Sequence, residues 1–462
     1  MGSKVKVMDE FQVSPPPGSL PTTISLPLTY FDLPWLCIKQ THNMRVVYFY
    51  TYPEISLEHF NETLVPSLKS SLSLTLQHFF PLVSNLILPP APQKPYILYE
   101  EGNSISFTVA ECSGDFDDVI SDRAKDVTIL HPFAPRLLYT RVSPDGTGVN
   151  PLLAVQVTLF PNKGVCIGIE FHHVAADGRA FLHFTKSWAS TCRSNDFLVS
   201  DKFVKPSFDR SSIEDPYDLE ARSLKQWRDF YSRSEGVTGT PKNDDIYKDK
   251  VRSTFALKSS QIKRLKQYFS DKSTDGMEQI SSFVVTCSFS LVCMIKSLEN
   301  IDNASDKFCC LCFGADCRNR FGISYPENYF GNCLLGFFPR VPRNELVGDN
   351  GLIVATQTIG NCIKELKSNG TAKEMDKWTT IKQGFGPTIF TSVAGSPYLG
   401  IYKTDFGWGC PKKKEVIHID LTNTIYIVDS RDDEGGIEIQ LALKKREMEA
   451  FTKHFEECLN LT

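Results

Sequence analysis

Two apolar runs, Leu153-Ala154-Val155-Gln156-Val157-Thr158-Leu159 and Val165-Cys166-Ile167-Gly168-Ile169, flank the turn sequence Pro161-Asn162-Lys163-Gly164. Short length, β-branched residues and turn chemistry predict two strands joined as a hairpin. The second run leads into Phe171-His172-His173-Val174-Ala175-Ala176-Asp177-Gly178, after which Phe181, Phe184 and Trp188 fall on one helical face. A hairpin that feeds a strand-to-helix turn commits this part of the chain to mixed α and β structure.

The rest of the chain follows suit. Leu64, Leu68, Leu72, Leu76 and Phe79 mark a buried helix that Pro81 ends. Residues 201–249 turn polar, punctuated by Pro206, Pro216, Gly236, Gly239 and Pro241, and read as a crossover that keeps some helical pattern at 224–231. Beyond it come strands at 253–257 and 308–315, helices at 260–268 and 281–296, and a last helix whose face carries Met448, Phe451, Phe455 and Leu459. A chain of 462 residues exceeds what one core serves, so the organisation expected is an N-terminal domain (1–200), a linker (201–249) and a C-terminal domain (250–462).

Charge and cysteine usage narrow the function. A net charge of -4 without long single-sign blocks excludes the footprint of a nucleic-acid binder and favours small-molecule partners. The basic run Lys412-Lys413-Lys414 reads as a solvated surface stretch, with a phosphate contact as the other option. No signal peptide, myristoylation signal or membrane span is recognisable, so a cytoplasmic protein with no membrane partner is expected. In that compartment the 14 cysteines are expected as reduced thiols, and Cys309, Cys310, Cys312 and Cys317 lie in a strand-like apolar run without the two paired CxxC motifs of a zinc site, so no metal is expected.

Strand alternation puts His173 on the side of Val165, Ile167 and Ile169, among apolar residues. Desolvation there keeps the imidazole neutral. A neutral imidazole can take the proton of a hydroxyl as its oxygen attacks a carbonyl, then return it to a leaving group. A histidine merely satisfied by backbone hydrogen bonds reads equally well from these residues alone. Asp177 before Gly178 suits a structural salt bridge, with orientation of the histidine as the alternative.

His173-Val174-Ala175-Ala176-Asp177 resembles the HxxxD motif of the plant BAHD acyltransferases, and Asp405-Phe406-Gly407-Trp408-Gly409 resembles their DFGWG motif. The pair is specific where HxxxD alone is weak. Tyr329-Phe330-Gly331-Asn332-Cys333 is similar to the YFGNC signature of the branch acting on anthocyanins and other flavonoid or phenolic glucosides, and Leu26-Pro27-Leu28-Thr29-Tyr30-Phe31-Asp32 also looks like a family segment. The resemblance implies an α/β fold of two chloramphenicol-acetyltransferase-like domains with a solvent channel at their interface, the first domain completed by about 376–398. It further implies a monomer with no bound cofactor, acyl-CoA as co-substrate and a small phenolic glycoside as acceptor.

On that pattern His173 is the general base, Asp177 pairs with an arginine, for which Arg318 is the candidate, and Asp405, Gly407, Trp408 and Gly409 hold the channel's shape. Thr391 and Ser392 sit where relatives place an oxyanion donor, and equally suit two hydroxyls in a strand. Lys258, Ser281 and Ser282 are candidates for the coenzyme, although the serines also suit ordinary helix capping. Cys410 stands where relatives carry Lys or Arg after GWG, which shifts any such contact to Lys412. Phe181 stands where malonyl-using relatives often carry an arginine, and the nearest cation is Arg179. An aromatic face favours a hydroxycinnamoyl donor over malonyl.

Rival readings are a condensation domain, which shares HHxxxDG but lacks the other two motifs, and a catalytically silent metabolite-binding relative. Signatures of serine hydrolases, zinc proteases, P-loop enzymes, dinucleotide-binding folds and kinases are missing from the sequence.

Overall fold

The computed structural model describes residues 5–37, 43–137, 141–194, 204–211, 213–215, 217–233, 244–272, 280–298, 307–318, 325–369 and 388–460. The strands that build the site are β1 (Val5–Val13), β2 (Asn43–Thr51), β3 (Ile105–Cys112), β4 (Leu153–Phe160), β5 (Gly164–His172), β6 (Lys250–Leu257), β7 (Phe308–Asp316), β8 (Leu334–Phe337), β9 (Thr388–Ser396), β10 (Lys413–Val416), β11 (Thr424–Asp429) and β12 (Ile437–Lys444). The helices packed on them are α1 (Val65–Leu76), α2 (Gly178–Ser194), α3 (Ser259–Lys272), α4 (Ser282–Ser297), α5 (Gly351–Asn369) and α6 (Lys445–Asn460).

The expected hairpin forms from β4 and β5, paired antiparallel from Leu153↔Phe171 to Phe160↔Gly164. It lies in the middle of a six-stranded sheet ordered β1-β3-β4-β5-β2-β10. A central strand is covered on both faces, and every residue of β4 is buried. One face, carrying Ile167, Ile169 and Phe171, packs in a core with Leu68 and Leu72 of α1 and Phe184 and Trp188 of α2. The other, with Phe49 and Cys166, packs on Phe116 and Phe133. The Trp188 indole N–H donates to the Leu68 carbonyl and Ser71 hydroxyl, each at 3.2 Å, fixing α2 against α1.

The second large sheet runs β8-β7-β9-β11-β12-β6, with Lys125–Asp126 at its far edge. Its core centres on α4, buried at every position from Val284 to Ile295 and surrounded by residues of α3, α5 and α6. Ser281 caps this helix by accepting the Val284 N–H at 3.2 Å. A smaller five-stranded sheet is formed by Thr23–Pro27, Asn85–Leu88, Tyr96–Glu100, Arg141–Val142 and Gly148–Pro151. Within the expected crossover, Leu219–Arg233 is a full helix.

Two sequence expectations are corrected. Residues 376–398 are expected to complete the first domain, yet β9 lies between β7 and β11 in the second sheet, parallel to both; residues 376–387 lie outside the described set. The segment that returns to the first sheet is β10, paired with β2 from Lys413↔Phe49 to Val416↔Val46. The run 412–414 is therefore no solvated stretch: Lys412 is exposed, but Lys413 and Lys414 are 0% and 2% exposed. The Lys413 ammonium finds partners in place of water, whereas burial pushes the Lys414 pKa well down. Lys413 Nζ meets Asp122, Thr254 Oγ1 at 2.7 Å and Glu415 at 3.3 Å, and Lys414 Nζ reaches the Tyr426 hydroxyl and lies 3.7 Å from that ring's centroid. Arg252 of β6 closes the seam by pairing with Glu415 at 2.6 Å and Asp420 at 3.2 Å.

Candidate active site

His173 follows β5 in the turn before α2, with its ring centroid 6.4 Å from that of Phe171. The residue is 6% exposed. Burial pushes its pKa down to about 4, against smaller upward pulls from its own backbone, Asp177, Asn332 and Asp32. The ring is neutral at physiological pH, as the sequence leads one to expect.

Which nitrogen carries the proton follows from Asn332. Its Nδ2 faces three acceptors: Asp32 Oδ1 at 2.9 Å, the His173 carbonyl at 2.9 Å and the Val174 carbonyl at 3.2 Å. That end must be the NH2, so Oδ1 points at His173 Nδ1, 3.1 Å away. An amide oxygen only accepts, so Nδ1 bears the hydrogen. Nε2 is left with the lone pair, the form a general base needs.

Asp32 anchors this arrangement from the N-terminal segment. Its carboxylate is fully buried, accepts from the Thr29 N–H and hydroxyl at 2.9 Å each, and pairs with Arg210 at 3.2 Å. The Trp35 indole, three residues on, stacks on the imidazole with centroids 3.5 Å apart and planes 8° apart. His418 adds a second buried imidazole, in the turn after β10. Its pKa falls to about 3, first through burial and then through Lys414 and His173, and its Nδ1 meets no hydrogen-bond partner among the described residues.

The Asp177–Arg318 pairing anticipated from the sequence is present at 2.8 Å, with both side chains at 0% exposure. Asp177 also accepts from the N–H groups of Ala180 and Cys333 at 3.0 Å each, so it caps α2 and fastens the 329–333 loop to it. Arg318 donates to the carbonyls of Tyr329 at 3.1 Å and Gly331 at 2.9 Å. Gly331 has φ +150°, and a Cβ there would lie 2.7 Å from the Tyr329 hydroxyl, so the loop that presents Asn332 requires glycine.

The other expected residues lie elsewhere. Asp405 accepts from the N–H groups of Gly407 at 2.7 Å and Gly409 at 2.9 Å and meets Arg193 at 3.5 Å. Phe406 packs on Trp188, and Trp408 lies against Tyr50 and Tyr52, so this loop buttresses α2 and β2. Thr391 does not point at the base: it is fully buried, with its hydroxyl on the Met294 sulfur at 3.7 Å, because odd positions of β9 face α4. Ser392, one residue on, faces the opposite way and is half-buried.

Arg179 is committed to Asp316 at 2.8 Å and Glu327 at 3.2 Å. Phe181 is 5% exposed and stacked on Phe171 at 4.0 Å, a packing position behind the site. Lys258, Ser281 and Lys412 are exposed and Ser282 half-buried, and the Ser281 hydroxyl serves as the cap of α4. Trp35, Asn332, Asp32 and His418 were missed as site residues, although Asn332 and Asp32 stand inside segments whose resemblance is visible in the sequence. Among the described residues no cluster of His, Cys, Asp and Glu suits a metal ion, and no helix is long and apolar enough to cross a membrane.

The model of the Transferase family matches residues 4–458, nearly the whole chain. The chain belongs to this family, the BAHD acyltransferases. It is 38% identical over 464 residues to coumaroyl-CoA:anthocyanidin 3-O-glucoside-6''-O-coumaroyltransferase 1 of Arabidopsis thaliana, covering 96% of each chain. It is 34% identical to malonyl-coenzyme A:anthocyanin 3-O-glucoside-6''-O-malonyltransferase of Dahlia pinnata, covering 98% of this acyltransferase and 97% of that one. Crystalline vinorine synthase shares the fold, with TM-score 0.68 over 97% of this chain and 96% of that one at 20% identity.

Proposed function

We propose that this acyltransferase moves an acyl group, a hydroxycinnamoyl group in particular, from an acyl-CoA to a sugar hydroxyl of an anthocyanin or other phenolic glucoside, with His173 as general base. The observation that carries the reading is the neutral His173 ring, whose Nδ1–H is held by Asn332 so that Nε2 keeps its lone pair. Nε2 takes the proton of the hydroxyl as its oxygen attacks the thioester carbonyl. The tetrahedral oxyanion then collapses, the C–S bond breaks, and the thiolate recovers the proton from the imidazolium. Asp177 supports the base through its pair with Arg318 and touches no reacting atom. The interdomain channel implied by the resemblance would bring the two substrates to Nε2 from opposite sides.

Of the two hydroxyls considered for the oxyanion, Ser392 is our assignment, because Thr391 is turned into the second core. The coenzyme's phosphates are assigned to the exposed Lys258 and Lys412 and to the start of α4 at Ser281 and Ser282. Similarity to a coumaroyltransferase favours the aromatic donor, and so does the double ion pair of Arg179, which leaves that guanidinium engaged by two carboxylates rather than turned toward a malonate. Malonyl transfer to the same acceptors is the second reading, favoured by similarity to the Dahlia enzyme.

A donor panel of coumaroyl-, caffeoyl-, malonyl- and acetyl-CoA with a glucosylated anthocyanin, read by thiol release, tests both. Coumaroyl- or caffeoyl-CoA is expected to be consumed fastest; consumption of malonyl-CoA alone would reverse the donor assignment. His173→Ala is expected to lower kcat by about a hundred- to ten-thousand-fold with little change in substrate binding. Binding without turnover in the unaltered protein would identify the silent relative instead.

A further inference from the structure

The proposed reaction places a positive charge on His173 in the transition state, and the surroundings do little to offset it. Nδ1 faces a neutral carboxamide, where a carboxylate would be the stronger partner. Two carboxylates act on the ring, Asp177 from the start of α2 and Asp32 from the N-terminal segment, and each is already paired with a buried arginine, Arg318 and Arg210. From the turn after β10, His418 presents a second imidazole, and a proton on either ring disfavours one on the other. Against the face of the ring lies the Trp35 indole, parallel within 8° and 3.5 Å between centroids.

The local sequence explains that placement. Trp35 belongs to the single turn Leu33–Leu36, which has Pro34 in its first turn and is anchored by the buried Leu33 and Leu36. Asp32, just before the turn, is bonded to Asn332, the same residue that holds Nδ1, so indole and imidazole are referenced to one fixed point.

We propose that Trp35 acts through His173 as an electrostatic partner, its π face stabilising the imidazolium that forms when the base takes the acceptor's proton. This rests on the reading of His173 as general base. A neutral imidazole gains only stacking from the indole, whereas a cation is attracted by the ring's quadrupole, so the contact strengthens as charge develops and lowers the barrier. In a desolvated site that attraction corresponds to about 30-fold in rate.

Site-specific incorporation of singly, doubly and triply fluorinated tryptophan at position 35 tests this, because fluorine drains negative potential from the ring face while keeping its shape. kcat is expected to fall stepwise with fluorine count while KM for both substrates holds. Trp35→Phe should retain most of kcat, and Trp35→Leu should lose about 30-fold. The acid limb of kcat/KM should move to lower pH in the leucine variant, since without the indole the ring holds its proton less firmly. A kcat indifferent to fluorination, with the leucine variant impaired in KM alone and an unmoved acid limb, overturns the proposal if His173→Ala is inactive in the same assay. Activity surviving in His173→Ala would remove the base itself, and Trp35's role with it.

Discussion

Asn332 bonds to His173 Nδ1 and also to the carbonyls of residues 173 and 174, so it sets both the tautomer of the base and the shape of the turn that carries it. Asn332→Leu strips away these bonds, leaves the buried Nδ1–H of His173 without its acceptor, and leaves Asp32 Oδ1 with only the backbone N–H of residue 332 at 3.3 Å. A kcat loss of roughly ten- to a hundredfold is expected from an unsatisfied buried group of this kind, with near-unchanged KM, measurable by the same thiol-release assay. A loss confined to KM would show that Asn332 contacts substrate instead of the base. The local pattern, a strand running into a turn and helix, marks His173 as a candidate, and the resemblance of the HxxxD and DFGWG segments singles it out as the base. Trp35, Asp32 and Asn332 reach the same ring from distant parts of the chain, Asp32 and Asn332 being 300 positions apart, and no periodicity reports a contact of that kind.

At the scale of elements, the Asp177–Arg318 pair ties the start of α2 to the loop that carries Asn332. Arg318→Met leaves the Asp177 carboxylate buried without a counter-charge and is expected to destabilise the fold by about 3–5 kcal/mol, read as a drop in the urea midpoint. Adding Asp177→Asn should recover part of that loss by removing the stranded charge. In the DFGWG loop, Gly407 and Gly409 adopt φ +107° and +90°, which side chains disfavour, so Gly409→Ala should cost roughly 1–2 kcal/mol without touching His173. Strands and helices with clear apolar periods, β4, β5, α2, α4 and α6, are legible in the sequence within a few residues. β10 is not, because its two lysines read as surface until Asp122 is seen to pair with Lys413 and burial to push the Lys414 pKa well down beside the Tyr426 hydroxyl.

Taken whole, the molecule carries an acid sensitivity in its interior. His173 and His418 hold pKa values of about 4 and about 3, below the ~6.5 of an unfolded chain, so the unfolded state takes up these protons first as pH falls. Their contribution is complete above about pH 6.5 and is lost as pH drops toward the folded values, by about 1.4 kcal/mol per pH unit per histidine. Glu415 adds to this at lower pH: burial pushes its carboxyl up, but Arg252 and Lys413 hold it at about 2, so its contribution fades from about pH 4.5 downward. Urea midpoints should fall between pH 6.5 and 4, and His418→Leu should flatten that slope; a slope unchanged by the variant would place the sensitivity elsewhere. The return of β10 to β2 has a consequence for biosynthesis. On the ribosome, residues 43–51 emerge long before their outer neighbour at 413–416 has been translated, so the first lobe waits with a raw hydrogen-bonding edge until that strand is made. Truncation before that strand should therefore yield a nascent chain that aggregates rather than a smaller working lobe.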